Sequence, residues 1–313
     1  MKLDVVIDGR YEVGDVIGWG ATADVHRGHD VVSGRAVAIK VLRADLARDP
    51  VSRSRFHREG LTMAGLSHRG IVAVYDTGQE ELDTGSAGMV PVPVIVMEYV
   101  PGHSLRDLIK MRLPTVNETI QYQVGMLSAL EFSHRAGVVH RDIKPANVMV
   151  TPEGAVKVVD FGLSRASGHP AATLSQASGL FGTPSYVSPE QARGETVDAR
   201  TDLYSAGCVL YELLTGKPPF IGDDPVCVVY QHIHEQPVLV RTDLPGLNAA
   251  LAKALAKERD DRFQDATSFI QALLFAVKDT QPAPDGALAS TFGNDARVAL
   301  AVGNDAGLAQ VAC

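Results

Sequence analysis

Cysteine is scarce in this chain: its 313 residues contain three, Cys208, Cys227 and Cys313. An odd number without a Cys-x-x-Cys pair argues against a disulfide framework or a zinc-cysteine site and leaves reduced, intracellular thiols as the expectation. Long apolar runs are missing as well. The most apolar stretch, Val90 to Val100, contains two prolines and Glu98, and it falls far below the ~20 residues that span a bilayer. The opening residues, Met1 to Asp8, are broken by Asp4 and Asp8 and lack the apolar core of a secretory signal. Basic charge is in deficit, with 29 Lys and Arg against 37 Asp and Glu and a net charge of −8. That balance argues against a dedicated nucleic-acid or anionic-membrane binder, although a local basic site stays open. What remains is a soluble, cytoplasmic, globular chain. At 45% hydrophobic residues it can bury ~70–75% of its unfolded surface without a covalent staple.

Two regions of different pattern follow. Residues 11–42 read as an antiparallel meander, YEVGDVIGWG, ADVHRGHD and RAVAIKVL, in which apolar and polar residues partly alternate. A helix-like stretch from about Val51 to Leu66 and two strand-like runs, IVAVYDTG and VPVIVMEYV, complete a small sheet carrying one helix. From about Ser104 the periods lengthen into helices over 116–135, 200–214, 247–257 and 265–278, with a short strand pair near 148–159. Residues 163–183, rich in serine, alanine and glycine, read as a functional or mobile loop. Residues 281–313 read as a flexible tail.

Gly18-Trp19-Gly20-Ala21-Thr22-Ala23-Asp24-Val25 lies between two strand-like runs. Alone it is a weak signal, since hairpin glycines usually serve only a turn. A Rossmann fingerprint is excluded, because that motif opens a helix; backbone amides of a hairpin closing over nucleotide phosphates remain. Lys40, in Val37-Ala38-Ile39-Lys40, follows by about twenty residues, a spacing from which an ammonium can reach phosphate oxygens. A lone strand lysine usually points to solvent. Holding this one inward requires an acid, and Glu59 is the best placed; its alternative is a solvated helix charge.

The most specific signal is His140-Arg141-Asp142-Ile143-Lys144-Pro145-Ala146-Asn147, followed thirteen residues after Asn147 by Asp160-Phe161-Gly162. Asp142 can accept a hydroxyl proton, and Asn147 and Asp160 offer the oxygen ligands that Mg²⁺ prefers. Phosphoryl transfer asks for this set. The second His-Arg pair, Ser67-His68-Arg69-Gly70, has no carboxylate and reads as structural.

Taken in order, these motifs resemble the eukaryotic-like (Hanks-type) Ser/Thr protein kinases. VLRADLARDP, EQARG, GCVLYELLTG and ALAKERDDRF further resemble the kinase domains of actinobacterial PknB-type kinases. The resemblance implies an α+β, bilobal protein-kinase fold over 11–280: a small antiparallel β lobe with one main helix (about 11–99), a larger, mainly helical lobe (100–280), and an active cleft between them. It implies ATP and Mg²⁺, with Mn²⁺ as a substitute, and transfer of the γ-phosphoryl group to Ser/Thr hydroxyls of proteins by a non-specific serine/threonine protein kinase. Asp142 then resembles the catalytic aspartate, Lys144 the lysine on the γ-phosphate, and Thr183 their partner. Ile17, Gly18, Gly20, Ala23, Val25, Ala38, Lys40, Met97 as gatekeeper, and Glu98 to Val100 as hinge are implied around the nucleotide. Asn147 and Asp160 are implied at the metal. Glu190 resembles the Ala-Pro-Glu glutamate that pairs with a late arginine, here Arg262, and Asp202 the aspartate that fixes the catalytic-loop backbone. Arg141 implies regulation by a phosphorylated loop.

Three departures from the family pattern stand out. Ala23 replaces a third glycine and gives up strain-free access to positive φ. Ser188 replaces alanine. Where PknB-type kinases carry Thr-x-Thr, this chain has Thr173-Leu174-Ser175-Gln176-Ala177-Ser178, so Ser175, with Thr173 or Ser178 as alternatives, is the expected autophosphorylation site. No basic flank or membrane span follows Lys278, which favours a soluble kinase over a cut receptor. Homodimerisation for phosphorylation in trans is a family expectation. A pseudokinase scaffold is the alternative, but it would be expected to lack one of Lys40, Glu59, Asp142, Asn147 and Asp160.

Overall fold

The computed structural model describes residues 5–7, 9–83, 88–161, 184–238 and 240–278. Gly162, Thr173, Ser175, Ser178, Thr183, Cys313 and the segments 163–183 and 281–313 lie outside the described residues. The chain divides into two compact units. The described residues of Met1–Gly102 and Lys157–Ser167 form one, those of His103–Val156 and Gly168–Cys313 the other.

The first unit is a six-stranded antiparallel sheet in the order β1-β2-β3-β4-β6-β5. It runs β1 (Val5–Val6), β2 (Tyr11–Trp19), β3 (Ala23–Asp30), β4 (Arg35–Leu42), α1 (Ala44–Ala47), α2 (Pro50–Ala64), β5 (Val74–Asp83) and β6 (Met89–Glu98). The meander over 11–42 is as the alternation predicts. α2 starts where its cap dictates: the Asp49 carboxylate accepts from the amides of Val51 and Ser52, and Pro50 occupies the first turn. IVAVYDTG was expected as a strand from Ile71, yet β5 begins at Val74 and continues through polar residues to Asp83. The reason is backbone demand. Ile71 bridges to Val158 and Val72 donates to it, so these residues serve the strand Val156–Val158, while an outer strand tolerates Glu80 and Glu81. Pro91 and Pro93 are accommodated in β6 because its ladder with β4 starts only at Val94.

Both faces of this sheet are covered. Val37, Ile39, Val41, Val92, Val94 and Val96 pack with Tyr11 and Val13 in the core. α2 covers the other face, where a Cβ on Gly60 would stand 3.0 Å from Thr77 and 3.1 Å from Ile95. The edges are drawn together, since Arg10 pairs with Asp76 at 3.6 Å, the Tyr11 hydroxyl donates to Asp76, and the Ile7 amide donates to Glu80.

In the second unit β7 (His103–Ser104) pairs with β8 (Val148–Val150). Its helices are α3 (Leu105–Met111), α4 (Val116–Arg135), α5 (Pro189–Arg193), α6 (Ala199–Thr215), α7 (Pro225–His234), α8 (Pro245–Ala254) and α9 (Ala266–Lys278). β9 (Val156–Val158) contains the boundary residue between the units. α4 has the expected 116–135 span because Thr115 and Glu118 form a capping box at its start. α6 is buried along nearly its whole length, starts at the Asp198 cap and stops at left-handed Gly216. It approaches α8 so closely that a Cβ on Gly207 would stand 2.9 Å from Ala254. α7, which the sequence reading did not pick out, is a short apolar run without clear period; its Asp224-Pro225 cap was the available signal. No described helix is long and apolar enough to cross a membrane.

Candidate active site

Strand register assembles the first group of side chains. Val25 pairs with Lys40, Lys40 with Ile95, and Ala38 with Met97. Directly opposed residues of antiparallel strands share a face, so Val25, Ala38, Lys40, Ile95 and Met97 lie on the α2 side of the sheet. Gly18 pairs with Val25 and leaves that end of the face bare. Ile17 is 48% exposed.

Of the two glycines at this hairpin, Gly20 acts through close approach, while a Cβ on Gly18 would meet Val25 only at 3.8 Å. A Cβ on Gly20 would sit 2.7 Å from the Ala23 carbonyl, the oxygen that accepts the Gly20 amide at 2.9 Å. Ala23 itself is buried in β3 and does not have positive φ. The strain expected from replacing a third glycine is therefore absent, because this backbone is extended strand.

Lys40 is 8% exposed and its Nζ donates to Glu59 Oε1 at 2.7 Å and to Asp160 Oδ1 at 2.8 Å. Burial works to lower the pKa of the ammonium, but the carboxylates of Asp160 and Glu59 outweigh it and hold the pKa above the ordinary lysine value. Asp160 has φ +57°, a left-handed conformation uncommon outside glycine. Phe161 beside it is fully buried. Glu98 is tied more firmly than a hinge reading implies. Its amide donates to the Ala73 carbonyl at 2.8 Å, and its carboxylate accepts from the Ala73 amide at 3.2 Å and from Lys157 Nζ at 2.7 Å. Lys157 was not anticipated, since a single strand lysine carries no motif. His68 belongs to the α2–β5 connection, where its Nδ1 accepts the Gly70 amide.

The second group is built on the loop His140–Asn147. Asp142 Oδ2 accepts from Lys144 Nζ at 2.7 Å and from Asn147 Nδ2 at 3.1 Å, and Asn147 Nδ2 also donates to the Asp142 carbonyl at 2.9 Å. A single 3₁₀ turn, Pro145–Asn147, brings Asn147 back towards Asp142. Asn147 thereby fits a role as cation ligand: its amide nitrogen is committed to Asp142, which leaves the carbonyl Oδ1 as the end offered to a hard cation. Among the described residues there is no cluster of three or more His, Cys, Asp or Glu side chains able to hold a metal ion unaided.

Arg141 precedes Asp142 with φ +66°. Buried Asp202 on α6 accepts its amide at 2.7 Å and that of His140 at 2.8 Å, and His134 Nε2 lies 2.7 Å from the same carboxylate. The Arg141 carbonyl accepts from Gln191 Nε2 at 2.9 Å. Gln191 is a contributor that motif reading missed; its signal was the Ser188 capping box, of which it is the third helical residue. Glu190 and Arg262, both buried, form a bidentate pair at 2.9 Å through each oxygen, and Thr201 donates to Glu190 as well. Burial opposes the Glu190 charge, yet Arg262 keeps its pKa below the ordinary carboxylate value.

A buried pair between a strand lysine and a helix glutamate, with an Asp-x-Lys-x-x-Asn loop preceded by amides that a helix aspartate accepts, defines the protein-kinase fold. The protein kinase domain model matches residues 11–292, and the chain belongs to that family. The family uses ATP with a divalent metal and acts on proteins. The chain is 51% identical over 281 residues to a probable serine/threonine-protein kinase of Streptomyces coelicolor, covering 88% of this chain and 41% of that protein. It is 50% identical over 281 residues to the serine/threonine-protein kinase PknB of Mycolicibacterium smegmatis, covering 88% and 44%. The chain thus spans less than half the length of these curated relatives. Among solved structures it resembles a double mutant of the Mycobacterium tuberculosis PknI kinase domain, with TM-score 0.67, 27% identity, and coverage of 88% of this chain and 99% of that one.

Proposed function

We propose that this chain is the catalytic domain of a serine/threonine protein kinase that transfers the γ-phosphoryl group of Mg²⁺-ATP to Ser or Thr hydroxyls of proteins. The observation that carries the reading is Lys40, a buried lysine held charged between Glu59 and Asp160. A positive charge fixed at that point serves to bind and orient phosphate oxygens. Val25, Ala38 and Met97 share its face and form the apolar bed for adenine, with Glu98 to Val100 as the hinge. Asp142 takes the proton of the attacking hydroxyl as its oxygen bonds to the γ-phosphorus and the bond to the bridging oxygen breaks. Lys144, anchored on Asp142, neutralises charge on the transferred group. Asn147 and Asp160 would offer oxygen ligands to Mg²⁺, or to Mn²⁺ as substitute, and the bound ion would supply charge neutralisation on the phosphates. All five positions that a pseudokinase would be expected to lose in part are filled: Lys40, Glu59, Asp142, Asn147 and Asp160.

Regulation belongs to the same reading. Arg141 Nε is buried without a hydrogen-bond partner among the described residues, and a phosphorylated loop residue would supply one. Ser175, with Thr173 or Ser178 as alternatives, is the residue proposed, and phosphorylation in trans between two copies is the route. ATP as substrate and the buried thiol of Cys208 fit a reducing, cytoplasmic setting. The test is incubation with labelled ATP, with and without EDTA, followed by phosphopeptide mapping. Metal-dependent label within 163–183 supports the reading. Label undiminished by EDTA contradicts the metal roles, and label wholly outside 163–183 contradicts the loop assignment.

A further inference from the structure

The Glu98 carboxylate stands where three backbone segments of the first unit meet. Its own strand, β6, leads into the hinge residues up to Val100. The Ala73 amide, which it accepts at 3.2 Å, belongs to the connection from α2, the helix that carries Glu59. Lys157, whose Nζ lies 2.6 Å from Oε1 and 2.7 Å from Oε2, lies on β9, three residues before Asp160. The same connection is joined to β9 a second time, because Val158 donates to Gly70 at 2.8 Å and accepts from Val72 at 3.0 Å. The clasp is partly sheltered, with the Lys157 and Glu98 side chains 19% and 24% exposed. Shelter of that degree makes a charge-assisted pair stronger than one at the open surface.

Neither side chain is needed to touch the nucleotide. We propose that Glu98 and Lys157 are positioning residues for ATP binding: their ion pair locks the hinge, the α2 connection and the approach to Asp160 into one binding-competent arrangement before the nucleotide arrives. This rests on the kinase reading and extends it to a side-chain pair that the catalytic motifs leave out. The consequence is a population effect. If only a fraction of the free protein is competent, the apparent dissociation constant rises by the inverse of that fraction, while bound protein is competent throughout. Loss of the clasp therefore weakens ATP binding and leaves turnover at saturation nearly intact.

The variant Lys157→Met keeps length and apolar contact and removes the charge; Lys157→Arg keeps the charge. Mg²⁺-ATP binding is measured by calorimetry, kcat and KM by phosphate transfer, and amide exchange at Ala73 and Glu98 with and without ATP. The expected result for Lys157→Met is about a tenfold rise in Kd and KM, kcat within about threefold of wild type, and faster exchange at Ala73 and Glu98 that ATP reverses. Lys157→Arg is expected within about twofold of wild type throughout. Should Lys157→Met fail to fold, Glu98→Gln carries the same binding and exchange measurements. A folded Lys157→Met or Glu98→Gln protein whose Kd stays within twofold of wild type overturns the proposal. Wild-type protein that binds no ATP contradicts the kinase reading itself, which separates the two failures.

Discussion

Asp202 and Arg141 are joined by a 2.7 Å hydrogen bond in which the buried carboxylate accepts the amide of a residue held at φ +66°. A non-glycine residue in that region costs on the order of 1 kcal/mol or more and persists only where its surroundings enforce it. Here Asp202 holds the amide and Gln191 the carbonyl. The next residue is Asp142, so the strained peptide sets the direction in which that carboxylate is presented.

Asp202→Ala is expected to leave the His140 and Arg141 amides without their acceptor. Each buried unsatisfied amide costs ~1–3 kcal/mol, so the variant should melt several degrees lower and transfer phosphate at least tenfold more slowly. A thermal melt paired with an autokinase assay checks both. Wild-type activity from this variant would show that Asp202 does not shape the loop.

The Glu190–Arg262 pair is predicted to act through stability. Arg262→Met strands a buried carboxylate, which costs roughly 3–5 kcal/mol, whereas Glu190→Gln combined with Arg262→Met removes both charges and should recover part of the loss. Denaturant midpoints of the two single variants and the double variant test this. Additive losses would contradict a coupled pair.

His232 on α7 is fully buried against Phe220 and the Tyr204 hydroxyl. Burial first, and the Lys257 cation second, push its pKa down to about 3 from 6.5. Between those values the unfolded chain binds a proton that the folded chain refuses, so the contribution is complete above about pH 6.5 and is lost as the pH falls. The slope from one such group is ~1.4 kcal/mol per pH unit. His232→Gln should flatten the fall in unfolding free energy between pH 6.5 and 5. An unchanged slope would assign it to other groups.

Periodicity gave the meander and the long helices because their apolar spacing is local. It misplaced the start of β5, where Ile71 and Val72 pair with Val158 far along the chain, and it passed over α7, whose short apolar run has no readable period. Lys40, Glu59, Asp142, Asn147 and Asp160 were legible as motifs because phosphoryl transfer restricts residue type and order. Lys157 was not, since a single side chain reaching a distant carboxylate leaves no pattern, and of Gln191 only its place in the Ser188 capping box could be read, not its reach to Arg141. The Ala23 substitution looked costly only while its backbone was taken to need positive φ; in β3 it does not.

The central claim is that Asp142 positions and deprotonates the hydroxyl that Lys40-bound ATP phosphorylates. The most direct measurement is the Mg²⁺-dependent autokinase rate of Asp142→Asn protein beside wild type, with a circular dichroism melt to establish that both are folded. A positioned base contributes ~10²–10⁴-fold, so the account predicts a fall of at least a hundredfold in folded protein. A folded Asp142→Asn protein retaining a rate within tenfold of wild type would contradict it.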